Sequence, residues 1–131
     1  MNGYLVLENG RYFRGKLLND CRMAGGEVVF STAMISYQDI ITDPSYYGQI
    51  VVMTYPLVGN VGFNEKSFAS RAAMVKGLVL REATDFPSHY EMETDLISFL
   101  NKSEIPVLTG VDTRALTRVI RHEGSMGGLI I

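Results

Sequence analysis

The chain has 131 residues, 47% of them hydrophobic, and a formal net charge of −2 at pH 7. This length predicts one domain, over residues 1–131, with a core of its own. The slightly acidic balance excludes the broad positive field of proteins that bind nucleic acid or anionic membranes. The chain has no apolar run of about 18 residues and no signal-peptide pattern at its start, so we expect a cytoplasmic protein.

The first predicted elements are strands. Apolar residues at 4–7 and 12–13 flank Asn9-Gly10, a pair that favours tight hairpin turns, so the chain is expected to begin with a β-hairpin. Further strands are predicted in apolar runs at 27–30, 50–54, 75–80, 107–110 and 129–131. Continuous apolar runs suit strands that are covered on both faces, which indicates a mixed or parallel inner sheet.

Two helices are predicted in the last third of the chain. Thr94 is a candidate N-cap for a helix with apolar residues on one face, which ends before Pro106. Asp112 is a candidate N-cap for a second helix, with apolar residues at helical spacing and Gly124 just beyond its end. Strands followed by these helices predict an α/β fold.

No catalytic constellation is evident in the sequence. Cys21 is the sole cysteine, which excludes an internal disulfide and argues against a thiolate zinc site. Arg22 beside it favours a thiolate, but His89 and His122 lie in no nucleophile or ligand pattern. A thiol enzyme that uses Cys21 is therefore kept only as a third hypothesis, and we expect no catalytic and no metal-binding residue.

Other polar residues have structural interpretations. The GNVG segment at 59–62 lacks the Gly-Lys-Ser/Thr ending of a P-loop, so we interpret it as a turn. The carboxylates Glu27, Asp39 and Asp43 have no spacing that requires them to converge on a substrate, and we interpret them as caps and surface charges.

Two segments have an unusual density of polar groups. In residues 36–49, Asp43-Pro44-Ser45 predicts a rigid turn that exposes the Ser45 hydroxyl, and the segment suits a structural turn as well as a binding surface. In residues 110–118, Arg114 and Arg118 lie one helical turn apart. Such a pair can bind the carboxylates of a partner, or form a solvated basic face.

Taken together, the chain resembles the amino-terminal domain of the small, glutamine-hydrolysing subunit of carbamoyl-phosphate synthetase. The resemblance covers nearly the whole chain in order and spacing. It rests on GEVVF at 26–30, YQ at 37–38, ITDPSY at 41–46, QIV at 49–51, TYP at 54–56, GNVG at 59–62, KGLV at 76–79 and DTRALTR at 112–118.

The resemblance implies a fold and a role. The fold is an α/β, three-layer swivelling β/β/α domain, in which a mixed inner sheet is accompanied by a smaller antiparallel layer and by helices on one side. The role is that of a domain that is inactive alone but belongs to a ligase of arginine and pyrimidine biosynthesis. It docks on the large subunit, braces the subunit's own C-terminal amidotransferase domain and completes the glutamine site. The Cys-His-Glu machinery lies in that second domain, which these 131 residues lack.

The resemblance also implies site residues and departures. Ser45 matches the serine that contacts glutamine, whereas Arg114 and Arg118 are candidates for partner binding. No cofactor is expected in this domain, because ATP is used by the large subunit. Ser36 stands where the family usually has glycine, and PSHY at 87–90 also departs from its pattern. The alternative is a free-standing module that binds a small anionic ligand or a protein partner on the same scaffold.

Overall fold

The computed structural model describes residues 1–21, 23–56, 73–82 and 98–131. The strands in these ranges are β1 (Asn2–Leu7), β2 (Tyr12–Leu17), β3 (Ala24–Ser31), β4 (Gln49–Met53), β5 (Gly77–Val79), β6 (Val107–Thr109) and β7 (Met126–Ile130). The helices are α1 (Tyr37–Thr42) and α2 (Thr113–Glu123), with a short 3-10 helix at Pro44–Tyr46. Residues 98–102 are also helical.

The structure confirms the predicted N-terminal hairpin. β1 and β2 pair antiparallel, with Leu5 opposite Phe13. Gly10 has a φ of 91°, in the region that glycine enters readily. The Asn9 side chain accepts a 2.9 Å hydrogen bond from the Arg11 backbone amide, which further fixes the turn. The position of the reversal is thus set by the local Asn9-Gly10 pair.

The seven strands of the described residues form one mixed sheet, as predicted. β3, β4, β5 and β6 lie side by side in that order and are parallel. β6 pairs antiparallel with β2, β2 with β1, β1 with β7, and β7 with β3. The sheet therefore has four parallel strands bounded by three antiparallel ones.

The pairing of the described strands confirms an α/β fold with a mixed sheet, whereas the three-layer division implied by the resemblance stays a prediction. β1 has partners along both of its edges, β2 through residues 2–6 and β7 through residues 5–7. Because β2 also pairs with β6 and β7 with β3, both outer strands of the parallel run are joined to the hairpin. The described strands therefore close into a barrel-like arrangement.

Strand β4 shows why the apolar runs are continuous. Ile50 and Val52 belong to the cluster that fills the barrel interior, while Val51 and Met53 belong to a second cluster beneath α1 and residues 98–102. All four side chains are at most 2% exposed. Burial of each such side chain stabilises the fold by roughly 2 kcal/mol. Both faces of β4 are therefore buried. For this reason residues 50–53 are all apolar and do not alternate between polar and apolar types.

Helix α2 confirms the second predicted helix. Asp112 Oδ1 accepts a 3.1 Å hydrogen bond from the Ala115 amide at its start, and Gly124, with a φ of 89°, follows its end. Leu116 and Ile120 pack into the interior cluster, so α2 lies against the barrel and exposes its opposite face. None of the described helices is long and apolar enough to cross a membrane.

Helix α1 is an element that the sequence reading did not predict. It begins after Ser36, whose Oγ accepts a 3.2 Å hydrogen bond from the Asp39 amide. Ser36 has a φ of −72°, so this position needs no glycine and gains a helix cap from the serine. Ile40 and Ile41 are fully buried in the second hydrophobic cluster, the one that contains Val51 and Met53 and is here called the outer cluster. The segment 36–49 thus begins with a helix, and the turn predicted at residues 43–45 follows it, in the 3-10 helix at Pro44–Tyr46.

Other predicted elements differ in their extent. Residues 98–102 are helical and Leu100 is buried, but Thr94, the expected cap, lies outside the described residues. β5 covers three residues of the run at 75–80, and β7 begins three residues before the predicted start at 129. Sequence reading missed that start because Gly127 and Gly128 have low strand propensity, yet both pair with neighbouring strands.

Asn19 fixes the start of β6. Its side chain is 7% exposed and binds backbone groups on both sides of Pro106. Nδ2 donates a 2.9 Å hydrogen bond to the Ile105 carbonyl, and Oδ1 accepts a 3.1 Å bond from the Val107 amide. Pro106 has no backbone N–H and interrupts regular pairing at this point of the chain. One buried side-chain amide therefore satisfies both the Ile105 carbonyl and the Val107 amide.

A close backbone approach explains the glycine of the GEVVF segment. A Cβ atom on Gly26 would lie 2.4 Å from the carbonyl oxygen of Gly48. On the preceding Gly25 the nearest atoms would be 3.6 Å away, an ordinary contact. Only the second glycine is therefore required for β3 to lie against the start of β4.

Candidate functional site

Ser45 lies on an exposed corner between α1 and β4, in the 3-10 helix that Pro44 begins. Asp43 Oδ1 accepts a 3.0 Å hydrogen bond from the Ser45 amide and a 2.8 Å bond from the Ser45 hydroxyl. Because its proton is directed to Asp43, the Ser45 Oγ is left to accept a hydrogen bond from an N–H donor. The predicted rigid corner is present, and its serine is oriented as an acceptor.

The tyrosines beside Ser45 separate into a buried and an exposed group. Tyr37 is fully buried and Tyr46 packs against the outer cluster, whereas Tyr47 is 75% exposed. Gly48 follows with a φ of 73°, which turns the chain into β4. The corner is thus anchored to the core on one side and open on the other, which suits a contact surface.

Arg114 and Arg118 lie on the exposed face of α2, as predicted, and the structure brings two further arginines to them. Together with three threonines they line a cavity of about 380 Å³, here called the arginine cavity. Its described lining consists of Thr54, Arg81, Thr113, Arg114, Thr117, Arg118 and Arg121.

The arginine cavity forms where the parallel strands end. Thr54 directly follows β4 and Arg81 follows β5 by two residues. Because neighbouring parallel strands end at the same edge of the sheet, these residues face the exposed side of α2. Sequence reading missed Arg81, since its place depends on strand pairing. For Arg121 the sequence does contain a signal, its three-residue spacing from Arg118 on the same helix.

The charges of the arginine cavity are not balanced within the described residues. No described Asp or Glu lines the cavity, and in the same ranges none of its four guanidinium groups forms an ion pair. The Arg121 guanidinium lies 5.3 Å from the centroid of the Phe30 ring, a cation–π contact that helps to orient it. Four permanent positive charges in a concave surface create a local field that attracts anions.

The two predicted sites are not brought together. Ser45 precedes the start of β4, and Thr54 of the arginine cavity follows its end. A strand of five residues is about 17 Å long. The Ser45 corner and the arginine cavity therefore lie at opposite ends of the barrel and can serve two separate contacts.

The setting of Cys21 disfavours the thiolate form. Burial raises the pKa of the Cys21 thiol, and the negative charge of Glu104 raises it further. A thiol with a raised pKa stays protonated near neutral pH, whereas a nucleophile needs a thiolate. Arg22 and His89 lie outside the described residues, and His122 is exposed in the last turn of α2. The observed setting argues against the thiol-enzyme hypothesis.

The carboxylates of Glu27, Asp39 and Asp43 were expected to be caps or surface charges, and Asp43 caps the 3-10 helix. Glu27 accepts hydrogen bonds from Gln49 Nε2 at 2.7 Å and from Ser125 Oγ at 3.4 Å. Asp39 is in the first turn of α1, where a negative charge is favourable. No group of three or more His, Cys, Asp or Glu among the described residues suits a metal ion. The segments 59–62 and 87–90 lie outside the described ranges.

The described residues thus define a closed α/β barrel with an acceptor corner at one end and a cationic cavity at the other, a scaffold for binding. Comparison with known sequences gives its family. The family described as "Carbamoyl-phosphate synthase small chain, CPSase domain" matches residues 5–130, so the chain belongs to the carbamoyl-phosphate synthase small-chain family. The resemblance noted from the sequence motifs is confirmed.

Individual relatives agree with this assignment. The chain is 52% identical over 130 residues to a carbamoyl phosphate synthase small chain of Caldanaerobacter subterraneus, which covers 99% of this chain and 36% of the relative. It is also 52% identical over 130 residues to an arginine-specific small chain of Bacillus subtilis, and the match covers 99% of this chain and 36% of that relative. A pyrimidine-specific small chain of Halalkalibacterium halodurans is 48% identical over 98% of this chain and 35% of its own length. The chain spans about a third of the length of these relatives.

Proposed function

We propose that this chain is the non-catalytic N-terminal part of the glutamine-hydrolysing subunit of a carbamoyl-phosphate synthase. The observation that carries the proposal is the match of residues 5–130 to the small-chain domain, in relatives almost three times as long. In this role the chain works in the cytoplasm, for arginine and pyrimidine biosynthesis. It uses no cofactor itself, and ATP is consumed by the large subunit.

The arginine-cavity end of the barrel is the proposed docking face for the large subunit. Arg114 and Arg118 are exposed there and form no ion pair with other described residues. Met34 follows β3 by three residues and is 73% exposed, and Tyr55 follows β4 by two and is 49% exposed. Exposed apolar side chains beside arginines match the composition of protein interfaces, in which aromatic residues, methionine and arginine are enriched.

The Ser45 corner is the proposed contact with glutamine and with the subunit's own C-terminal amidotransferase domain. Its Oγ is held as a hydrogen-bond acceptor by Asp43. The ammonium and amide groups of glutamine are N–H donors, so their chemistry fits an acceptor at this position. A corner anchored to the core by Tyr46 gives such a contact a fixed position.

Capture of the full-length small chain by its large subunit tests the docking face. Met34→Asp and the double change Arg114→Gln/Arg118→Gln should each lower the affinity at least about tenfold, as loss of a central interface contact does. Met23→Asp is the matched control, because Met23 is 70% exposed but precedes β3 at the opposite end of the barrel.

Two results would contradict the proposal. Equal capture of the Met34→Asp and Met23→Asp variants would place docking elsewhere. The isolated residues 1–131 should also hydrolyse no glutamine, and turnover that a single replacement within them abolishes would show that they carry catalytic groups of their own.

A further inference from the structure

The arginine cavity has the properties of a ligand site as well as of a docking face. It is concave, and its volume of about 380 Å³ is in the range of small-molecule pockets. Four of its seven described lining residues are arginines. Guanidinium groups stay protonated throughout the physiological pH range, so the described lining carries four positive charges at any pH of interest.

Thr117 provides a second, independent observation at the cavity. The residue is 6% exposed, and its Oγ1 is buried without a hydrogen-bond partner among the described residues. A threonine inside a helix commonly bonds to the carbonyl oxygen four residues earlier. Thr117 does not, although it lines the cavity together with Thr113. An unsatisfied buried hydroxyl is unfavourable, and because Thr117 lines the cavity, its hydroxyl is available as a donor to an acceptor bound there.

We propose that the arginine cavity binds a phosphoryl group, either as free phosphate or as part of a phosphorylated small molecule. The guanidinium forks and the threonine hydroxyls are all hydrogen-bond donors that suit the oxygens of a tetrahedral oxyanion. A carboxylate has only two oxygens, whereas a phosphoryl group presents at least three strong acceptors. Four arginines and a buried hydroxyl therefore match the phosphoryl group better than a carboxylate.

This site goes beyond the proposed docking and does not depend on it. Arg114 and Arg118 belong to both surfaces, whereas Thr117 is buried and belongs to the cavity alone. Binding of phosphate by the 131-residue chain without any partner tests the cavity, and capture by the large subunit tests the docking face.

Calorimetric titration of the 131-residue chain with inorganic phosphate tests the proposal, at an ionic strength held constant with sodium chloride. Saturable binding at one site is expected. Arg118→Gln and Thr117→Val should each weaken it about tenfold, the loss expected for one hydrogen bond to a charged group. Arg14→Gln is the matched control, because Arg14 lines a different cavity, and it should leave phosphate affinity unchanged.

Thr117→Val also separates a ligand role from a structural one. Valine has nearly the same shape and removes the unsatisfied hydroxyl, so without phosphate the variant should melt at the wild-type temperature or above it. A lower melting temperature would show that the hydroxyl stabilises the fold, and would contradict the proposal. No saturable phosphate binding by the wild-type chain, unchanged binding by Arg118→Gln, or tighter binding of succinate than of phosphate would overturn it as well.

Discussion

The hydroxyl of Ser45 donates a 2.8 Å hydrogen bond to Oδ1 of Asp43, and this Oδ1 also accepts a hydrogen bond from the backbone N–H of Ser45. This pair turns a flexible hydroxyl into an acceptor with a defined direction on an exposed corner. Asp43 is therefore a positioning residue for Ser45, and the two side chains should act together in whatever contact the corner makes.

The Ser45 corner predicts a defect in glutamine use. In the full-length small chain bound to its large subunit, Ser45→Ala should raise the KM for glutamine by about tenfold, since one hydrogen bond to a charged group is lost. Asp43→Ala should give a similar rise, because it frees the hydroxyl to rotate. Steady-state kinetics with glutamine and with ammonia measures both effects. Activity with ammonia should be unchanged, and an equal loss with both nitrogen donors would contradict a glutamine contact.

The close approach of β3 and the start of β4 predicts unequal effects at two adjacent glycines. Gly26→Ala should lower the free energy of unfolding by about 2 kcal/mol, the typical effect of overpacking, because its Cβ would meet the Gly48 carbonyl. Gly25→Ala should change it by less than about 0.5 kcal/mol, as ordinary surface substitutions do. Urea denaturation of both variants gives the comparison. Equal stabilities would show that the strands can separate at no cost.

The buried amide of Asn19 predicts a large stability effect. Asn19→Ala leaves the Ile105 carbonyl and the Val107 amide without partners, and should destabilise the fold by about 2–3 kcal/mol. Asn2→Ala, at an exposed position on β1, is the control and should be almost neutral. Thermal unfolding followed by circular dichroism measures the difference. A small effect at Asn19 would mean that water replaces both of its hydrogen bonds.

The setting of Cys21 predicts slow alkylation with a shifted pH profile. Burial and the charge of Glu104 both raise the pKa of the thiol, so the reactive thiolate should form only at a higher pH than in a free cysteine. The rate of reaction with iodoacetamide, measured as a function of pH, should therefore rise at a higher pH than the rate for free cysteine. Glu104→Gln removes the smaller of the two causes and should move the profile partly back toward lower pH. A profile at or below that of free cysteine would contradict the described setting.

Short sequence motifs were enough to predict two parts of the fold, the N-terminal hairpin and the ends of α2. Asn9-Gly10 marked the hairpin turn, and Asp112 with Gly124 marked both ends of α2. Helix α1 was missed because six residues are too few to establish a helical period, although Ser36 followed by Asp39 was a weak capping signal. Such short elements are held by the buried Ile40 and Ile41 rather than by their own propensity.

Closure of the sheet and assembly of the arginine cavity could not be predicted from the sequence alone. Closure depends on pairs such as Leu5 with Ile130, which are distant along the chain. Arg81 reaches the cavity only because β5 lies beside β4 in parallel. The helical spacing of Arg114, Arg118 and Arg121 was readable, but the groove that they face was not. Long-range pairing thus determines the site, and single-sequence patterns report mainly local preferences.

The closed pairing of the seven described strands has a consequence for how this chain meets other polypeptides. Along this ring no strand is left with an unpaired edge, so an incoming peptide cannot extend the sheet by adding a strand of its own. Within the described residues, recognition therefore falls to side chains at the two rims and on the helices. The rim side chains can therefore be changed without removing any hydrogen bond of the wall between them.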